Sequence, residues 1–240
     1  MNGTAVTKDS LVSIVLPVYN QAEHIAGIVR EYEAALTRLH NPHEFILVVN
    51  GCRDHSLEVC RALEADIKSV RVIHSERGGW GLAVKLGLQA ARGDLLCYAN
   101  SARTNASDLL LMILYAVANP ESVVKAHRRS REDFIRRLGS FLYNVQCRVL
   151  FDLPTWDVNG TPKVFSRDIY KTLPLTFDDD LVDLEFFVRC KERGWLVLEV
   201  DTYRWQRHSG ESTTKYRSAL KLYVGAYRWW REVKSSSKDG

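Results

Sequence analysis

No stretch of this chain is apolar for long enough to cross a bilayer, and the N-terminus, "MNGTAVTKDS", carries no apolar leader core. Both absences point to a cytoplasmic protein. Cysteine is scarce: Cys52, Cys60, Cys97, Cys147 and Cys190 are odd in number and form no CxxC, which fits buried free thiols in a reducing compartment. Internal repeats are missing, and low complexity is confined to the ends "MNGTAVTKDS" and "KSSSKDG". Net charge is only +4, and no nucleic-acid partner is expected.

Apolar residues, by contrast, make up 46% of the 240 residues, enough to bury a sizeable core. The positive charge is unevenly spread. Lys125–Arg137 holds six Lys/Arg against two Asp/Glu, and the segment from Tyr203 onward holds nine against three. Two cationic patches in the second half suit a phosphorylated or anionic partner, although a solvated helix face explains either patch alone.

Apolar runs alternate with helical spacing through the first half. "VSIVLPVY" reads as a strand ended by Pro17, and "AEHIAGIVREYEAALTRLH" repeats apolar residues at helical intervals from Ile25 to Leu39. "EFILVV" and "VRVIHS" read as strands on either side of the helix "SLEVCRALEADI", with Ser56 as its N-cap. "GLAVKLGLQAA" and "DLLCYA" complete a βαβαβαβ order. That order predicts an α/β fold, a mostly parallel sheet with helices on both faces and ligands beyond the carboxyl ends of the strands. Later, helices are predicted over "DFIRRLGSFLYNVQCRVLF", "DLEFFVRCKERG" and "SALKLYVGAYRWWREVK", and strands over "KVFS" and "WLVLEVDTYRW". No domain boundary is visible.

A resemblance rests on segments in a fixed order. "SIVLPVYNQAEHI", "ILVVNGCRDHSLEV" and "GGWGLAVKLGLQAARGD" look like the first landmarks of family-2 glycosyltransferases of the GT-A fold. "RRLGSFLYNVQCRVLFDLPTWDVNGTPKVFSRDIY", "DLEFFVRCKERGWLVLEV" and "RHSGESTTKY" resemble the dolichyl-phosphate mannose synthase branch. The resemblance implies one Rossmann-like GT-A domain over residues 1–240, with a nucleotide-binding half (11–110) and an acceptor-binding half (111–240). It also implies a nucleotide-diphosphate sugar donor and inverting transfer.

Residue by residue, it places Pro17, Tyr19, Asn20 and Gln21 at the turn that holds base and ribose, with Gln21 where relatives often carry an acid. In "NGCRDHS", Asn50 replaces an acid and Asp54 is retained. Uracil presents one N–H between carbonyls and is read by Asp or Asn, whereas guanine's two donors favour Asp, which tilts the reading towards a UDP-sugar. The alternative for Asp54 is an Asx turn before the helix near Ser56. Gly79, with Gly78 and Gly81, allows close packing against the nucleotide site, and Lys85 one turn further faces either phosphate or solvent.

The family's metal-binding Asp-x-Asp, counted from Gly93-Asp94, falls on Asn100 and Ala102, with Thr104 where a Gln often follows. Ala102 offers no ligand and Asn100 only a neutral oxygen, so no metal and no other cofactor is expected. Mg²⁺ or Mn²⁺ is left open through the acids Asp178 to Asp180. Fixed cations can neutralise a leaving diphosphate as a metal does. Arg103 in the vacated loop and Lys163 in "NGTPK", helped by Arg207 or Lys215, are the candidates.

Asp183, then Glu185, is the expected general base for a hydroxyl or amine acceptor, and a phosphate acceptor needs none. Arg136 and Ser140, one helical turn apart, are expected on the acceptor phosphate. Arg207, Ser212 and Lys215 match the branch's closing loop. The last helix mixes aromatic and basic residues, which suits packing, a homodimer contact or a peripheral contact with an anionic membrane; packing is favoured. The reading is therefore a metal-independent transferase acting on a lipid phosphate or a small molecule. A non-catalytic binding or scaffolding homologue and a metal-dependent nucleotidyl or sugar-phosphate transferase are the alternatives.

Overall fold

Every residue of β1 (Val12–Val18) is buried, because a central strand covered on both faces meets side chains in both directions. The computed structural model describes residues 6–7, 9–128, 134–202 and 216–236. Strand β2 (His43–Asn50) is buried at all but its first residue. Period-two alternation sorts these strands into two cores. Ile14, Leu16 and Val18 with Phe45, Leu47 and Val49 meet α1 (Ile25–Leu36), α2 (Ser56–Asp66) and α4 (Ala106–Ala118). Val15, Ile46 and Val48 face the other way, onto α3 (Trp80–Ala90) and the core that also takes in α5 (Phe134–Phe151), α6 (Arg167–Lys171), α7 (Val182–Glu192) and α8 (Tyr216–Ser236).

The remaining strands are β3 (Val70–Ser75), β4 (Leu95–Tyr98), β5 (Ser122–Arg128), β6 (Lys163–Ser166) and β7 (Leu196–Thr202). They form a seven-stranded sheet in the order β3-β2-β1-β4-β6-β5-β7. All pairings are parallel except those of β6, which runs antiparallel to both β4 and β5. The predicted α/β class and its mostly parallel sheet are what the chain adopts.

Three local expectations change. Pro17 does not end β1: it pairs with Val48 of β2, and lies past the last β1–β4 pair, Val15↔Tyr98, where its missing N–H removes no bond on that side. Ser56 is the first residue of α2, not its cap; His55 is the N-cap, without a side-chain cap bond, and Asp54 accepts from Ser56 N–H in an Asx turn just before it. Strand β5 was not predicted, because "SVVKAHR" carries Lys125 at its centre and reads as too polar for a buried strand.

Helix α3 lies unusually close to β1. A Cβ on Gly87 would stand 2.2 Å from Val15 Cγ1, and a β-branched neighbour cannot rotate away easily. Gly87→Ala should therefore lower unfolding free energy by about 1–3 kcal/mol through overpacking, measured by urea titration.

Candidate active site at the carboxyl ends of the strands

Three strand-end turns meet where the first half of the sheet stops. The β1 turn is tied to the β2 turn by Arg53 N–H to Asn20 Oδ1 (2.8 Å), Gln21 N–H to Ser56 Oγ (2.8 Å) and Ala22 N–H to Asp54 Oδ2 (3.0 Å). Gln21 also accepts from the buried Ser101 hydroxyl at 2.7 Å, which joins the β4 turn to the same rim. Tyr19 is exposed at this edge. The expected donor-side residues Pro17, Tyr19, Asn20, Gln21, Asn50, Asp54, Gly79, Asn100 and Ala102 thus do gather at one end of the sheet.

Several of them are engaged with the protein itself. Asn50 is buried and gives its Nδ2 to Gly79 O (2.8 Å), so its amide holds the glycine turn. Asp54 accepts from Ser56 N–H and Oγ on one oxygen and from Ala22 on the other. Burial pulls its carboxyl up, but these bonds outweigh that and hold it below the usual carboxylate range. The Asx turn is the geometry observed. Gly79 and Gly81 do serve close packing, with the backbone of the 177–179 loop: a Cβ on Gly81 would stand 2.4 Å from Phe177 O. The Leu82 N–H at the start of α3 is taken by Asp178 O (2.9 Å), so this turn is no phosphate cradle. Lys85 faces neither phosphate nor open solvent; its Nζ bonds Asp178 Oδ1 and Thr176 O, both at 2.7 Å.

The loop expected to lack carboxylates runs from Asn100 to Thr104. Asn100 N–H reaches Thr161 Oγ1 at 3.4 Å, and Arg103 is half-buried. Thr104 Oγ1 is buried without a partner, while its carbonyl accepts from Tyr32. Among the described residues, no three His, Cys, Asp or Glu side chains come together to hold a metal ion. Asp178 pairs with Lys85 and with Arg77 (2.9 Å), and Asp179 accepts from Leu181 N–H (2.9 Å). Neutral oxygens and one methyl group do not fit a hard divalent cation.

Behind the loop, Lys163 and Tyr98 face each other across the β4–β6 pairing and converge on Asp183 in the first turn of α7. Asp183 accepts from Lys163 Nζ, Tyr98 Oη (2.9 Å) and Trp80 Nε1 (3.0 Å). Lys163 is fully buried, with its ammonium 5.0 Å from the Tyr98 ring centroid and 5.1 Å from that of Phe187. Burial lowers its pKa to about 8 against the opposing pull of Asp183. Two expectations are corrected here. Lys163 is not a cation presented to a diphosphate, because its charge is matched inside the core. Asp183 is not an open base, because its carboxylate already accepts from three donors, one of them cationic.

Glu185 is likewise occupied. It is fully buried and accepts from Thr176 N–H (2.7 Å), Thr176 Oγ1 (2.7 Å) and Phe177 N–H (3.1 Å), which ties down the loop before α7. Asp180, between Asp179 and Leu181, has no hydrogen-bond or ion-pair partner among the described residues. Ser140 is half-buried on α5, with its carbonyl and hydroxyl both facing Asn144 Nδ2. The side chains of Arg136, Arg207, Ser212 and Lys215 lie outside the described residues. On α8, Trp229 is buried against Phe151 and Phe177, whereas Leu220, Val224 and Tyr227 are exposed.

Sequence reasoning missed Tyr98 and Trp80 as Asp183's partners, since two aromatics far apart in the chain look like core. It also missed Lys125, register partner of Lys163, which bonds Glu199 (2.8 Å) and Asp157 O (2.9 Å). Replacing Lys163 by Met leaves Asp183 buried beside two neutral donors only, and should lower stability by about 3–5 kcal/mol. Adding Asp183→Asn should recover part of that loss, read by a double-mutant cycle in urea, because no uncompensated charge then remains.

The described residues hold no helix long and apolar enough to cross a membrane. The family model described as "Glycosyl transferase family 2" matches residues 13–173. The undecaprenyl-phosphate 4-deoxy-4-formamido-L-arabinose transferase of Pseudomonas aeruginosa (strain LESB58) is 30% identical over 226 residues, covering 88% of this chain and 62% of the relative. Glycosyltransferase AglD of Haloferax volcanii is 28% identical over 232 residues, covering 92% of this chain and 37% of the relative. The chain therefore spans less than two thirds of the length of these relatives. Among solved structures, glucosyl-3-phosphoglycerate synthase from Mycobacterium tuberculosis, in complex with Mn²⁺, uridine-diphosphate and phosphoglyceric acid, superimposes with a TM-score of 0.73 at 15% identity, covering 92% of this chain and 78% of that one. That likeness gives the GT-A fold. The family match covers more than half of the chain, and the protein belongs to glycosyl transferase family 2.

Proposed function

We propose that the chain is an inverting glycosyltransferase that moves a sugar from a nucleoside-diphosphate donor to a phosphate or hydroxyl acceptor without a divalent metal. The observation that carries the reading is the pairing of an intact, cross-linked strand-end rim with a metal loop stripped of carboxylates. A decayed scaffold has no need to keep such a rim. Positive charge for the leaving diphosphate falls to Arg103 in that loop and to the cationic segment holding Arg207 and Lys215. Lys163 acts from behind, by fixing Asp183.

The donor in this reading is a UDP-sugar. Guanine's paired donors want a bidentate carboxylate, and both oxygens of Asp54 are tied to Ser56 and Ala22. The acceptor is put forward as a lipid phosphate because the bacterial relatives are named for undecaprenyl phosphate. In that case Arg136 and Ser140 meet the phosphate, and the exposed row Leu220, Val224 and Tyr227 of α8 with Lys221 and Arg228 rests on the membrane surface. A homodimer through that row is the competing use of the same surface.

Calorimetric titration with UDP and GDP, first in EDTA and then with Mn²⁺, tests the proposal. UDP should bind in EDTA, and Arg103→Ala should weaken it about tenfold or more, the worth of one charge-assisted hydrogen bond. Binding that needs Mn²⁺ would mean that other acids rebuild a metal site. No binding of either nucleotide would leave the scaffolding reading standing.

A further inference from the structure

Away from the rim, the described residues enclose a cleft of about 660 Å³ at the edge strand β7, a size usual for small-ligand sites. Tyr115 of α4 lines it from one side of the sheet, and Phe141 of α5 with Trp156 of the following loop from the other. His127 of β5 and Glu199 and Asp201 of β7 form its polar wall. All three rings are exposed, Trp156 by 39% and Phe141 by 54%. Exposed apolar surface rimmed by polar groups marks a binding groove. Strands β5 and β7 run in the direction of β1, so their last residues stand on the same edge as the rim, two to three strand spacings, roughly 10–14 Å, beyond β4.

Trp156 is exposed and yet held firmly. Lys125 is fully buried, and its ammonium donates to Glu199 Oε1 (2.8 Å), to the Asp157 carbonyl (2.9 Å) and to the Trp156 carbonyl. Glu199 Oε1 in turn accepts from Trp156 N–H (2.8 Å) and from the Thr155 hydroxyl. The Trp156 backbone is thus clamped at both its N–H and its C=O. Arg148 lays its guanidinium 4.1 Å from the indole centroid and gives Nη1 to Pro154 O (2.8 Å). Phe141, two helical turns before Arg148 on α5, sets its ring within 11° of parallel to the indole, with centroids 6.4 Å apart. A buried ion pair is a costly way to stabilise a fold. Its product here is an exposed aromatic platform fixed before any ligand arrives, which spares a ligand the cost of ordering it.

The two walls select the ligand. Glu199 has its charge matched by Lys125, and Asp201 lies 3.0 Å from His127, so the polar wall offers acceptor oxygens without a net charge that attracts a cation. The same carboxylates repel phosphate. A hydrocarbon chain laid over them would bury polar groups without partners. A pyranose ring suits both walls, because its C–H face packs on an aromatic ring while the hydroxyls at its rim donate to oxygens. Every hydrogen bond that Glu199 accepts among the described residues falls on Oε1, which leaves Oε2 for such a donor. We propose that this cleft binds a neutral saccharide ring, stacked on the Trp156–Phe141 wall and hydrogen-bonded by Glu199 and His127. The site goes beyond the transferase reading, since it stands apart from the donor rim and binding there needs no transfer.

Saturation-transfer NMR on the full chain tests the cleft, with methyl α-D-glucopyranoside, methyl α-D-mannopyranoside and methyl β-D-galactopyranoside as millimolar probes. At least one should take up saturation on its ring C–H protons. Trp156→Ala should weaken that binding about two- to tenfold, the worth of one aromatic contact, with an unchanged melting temperature because the indole is exposed. Where Trp156→Ala does not fold, Phe141→Ala, with the more exposed ring, carries the same expectation. Absence of saturation transfer to all three glycosides overturns the proposal, as does undiminished binding in both variants. Binding that Arg103→Ala weakens and Trp156→Ala does not places the sugar at the rim and overturns it too. Tetramethylammonium or inorganic phosphate displacing the glycoside would make the cleft an ion site instead. UDP binding is read separately in the same samples, so these outcomes leave the transferase reading to its own test.

Discussion

A lysine ammonium and a carboxylate, both removed from water, sit where the sheet changes direction. Lys163 of the antiparallel strand and Asp183 of α7 neutralise each other against the faces of Tyr98 and Phe187, with Tyr98 and Trp80 completing the carboxylate's hydrogen bonds. Neither charge is tolerable alone in that setting. The pair therefore requires β4, β6, α3 and α7 to be in place together. It sits directly behind the strand-end rim, so the floor of the site is set by electrostatic necessity as much as by packing.

That constraint reorders the roles of the charged residues. A lysine and an aspartate that look free in the sequence are engaged with each other, and Glu185, Asp178 and Lys85 are engaged with the loop over α3. A catalytic group must keep unfilled bonding capacity, and a structural group must not. On that criterion Lys163, Asp183, Glu185 and Lys85, which hold the most bonds, are structural groups.

Much of the fold was legible in the chain. Continuous apolar runs at β1 and β2 demand burial on both faces, and helical spacing between them demands a crossover, so a mostly parallel sheet follows with its site at the carboxyl ends. The lack of side-chain carboxylates at Asn100 and Ala102 was also legible, because residue identity is read directly from the chain. Strand β5 was not, because Lys125 disguises it; its burial depends on Glu199 and the Asp157 carbonyl, far away in sequence.

Local composition thus determined the fold class and which strand-end turns carry carboxylates. Only tertiary structure decided which polar side chains are satisfied. Hydrogen bonding saturates, and whether Asp183 or Asp180 keeps an open valence depends on partners from strands and helices about 20 to 100 residues apart. A sequence shows how many acids are present, but only the fold shows which of them is left without a donor.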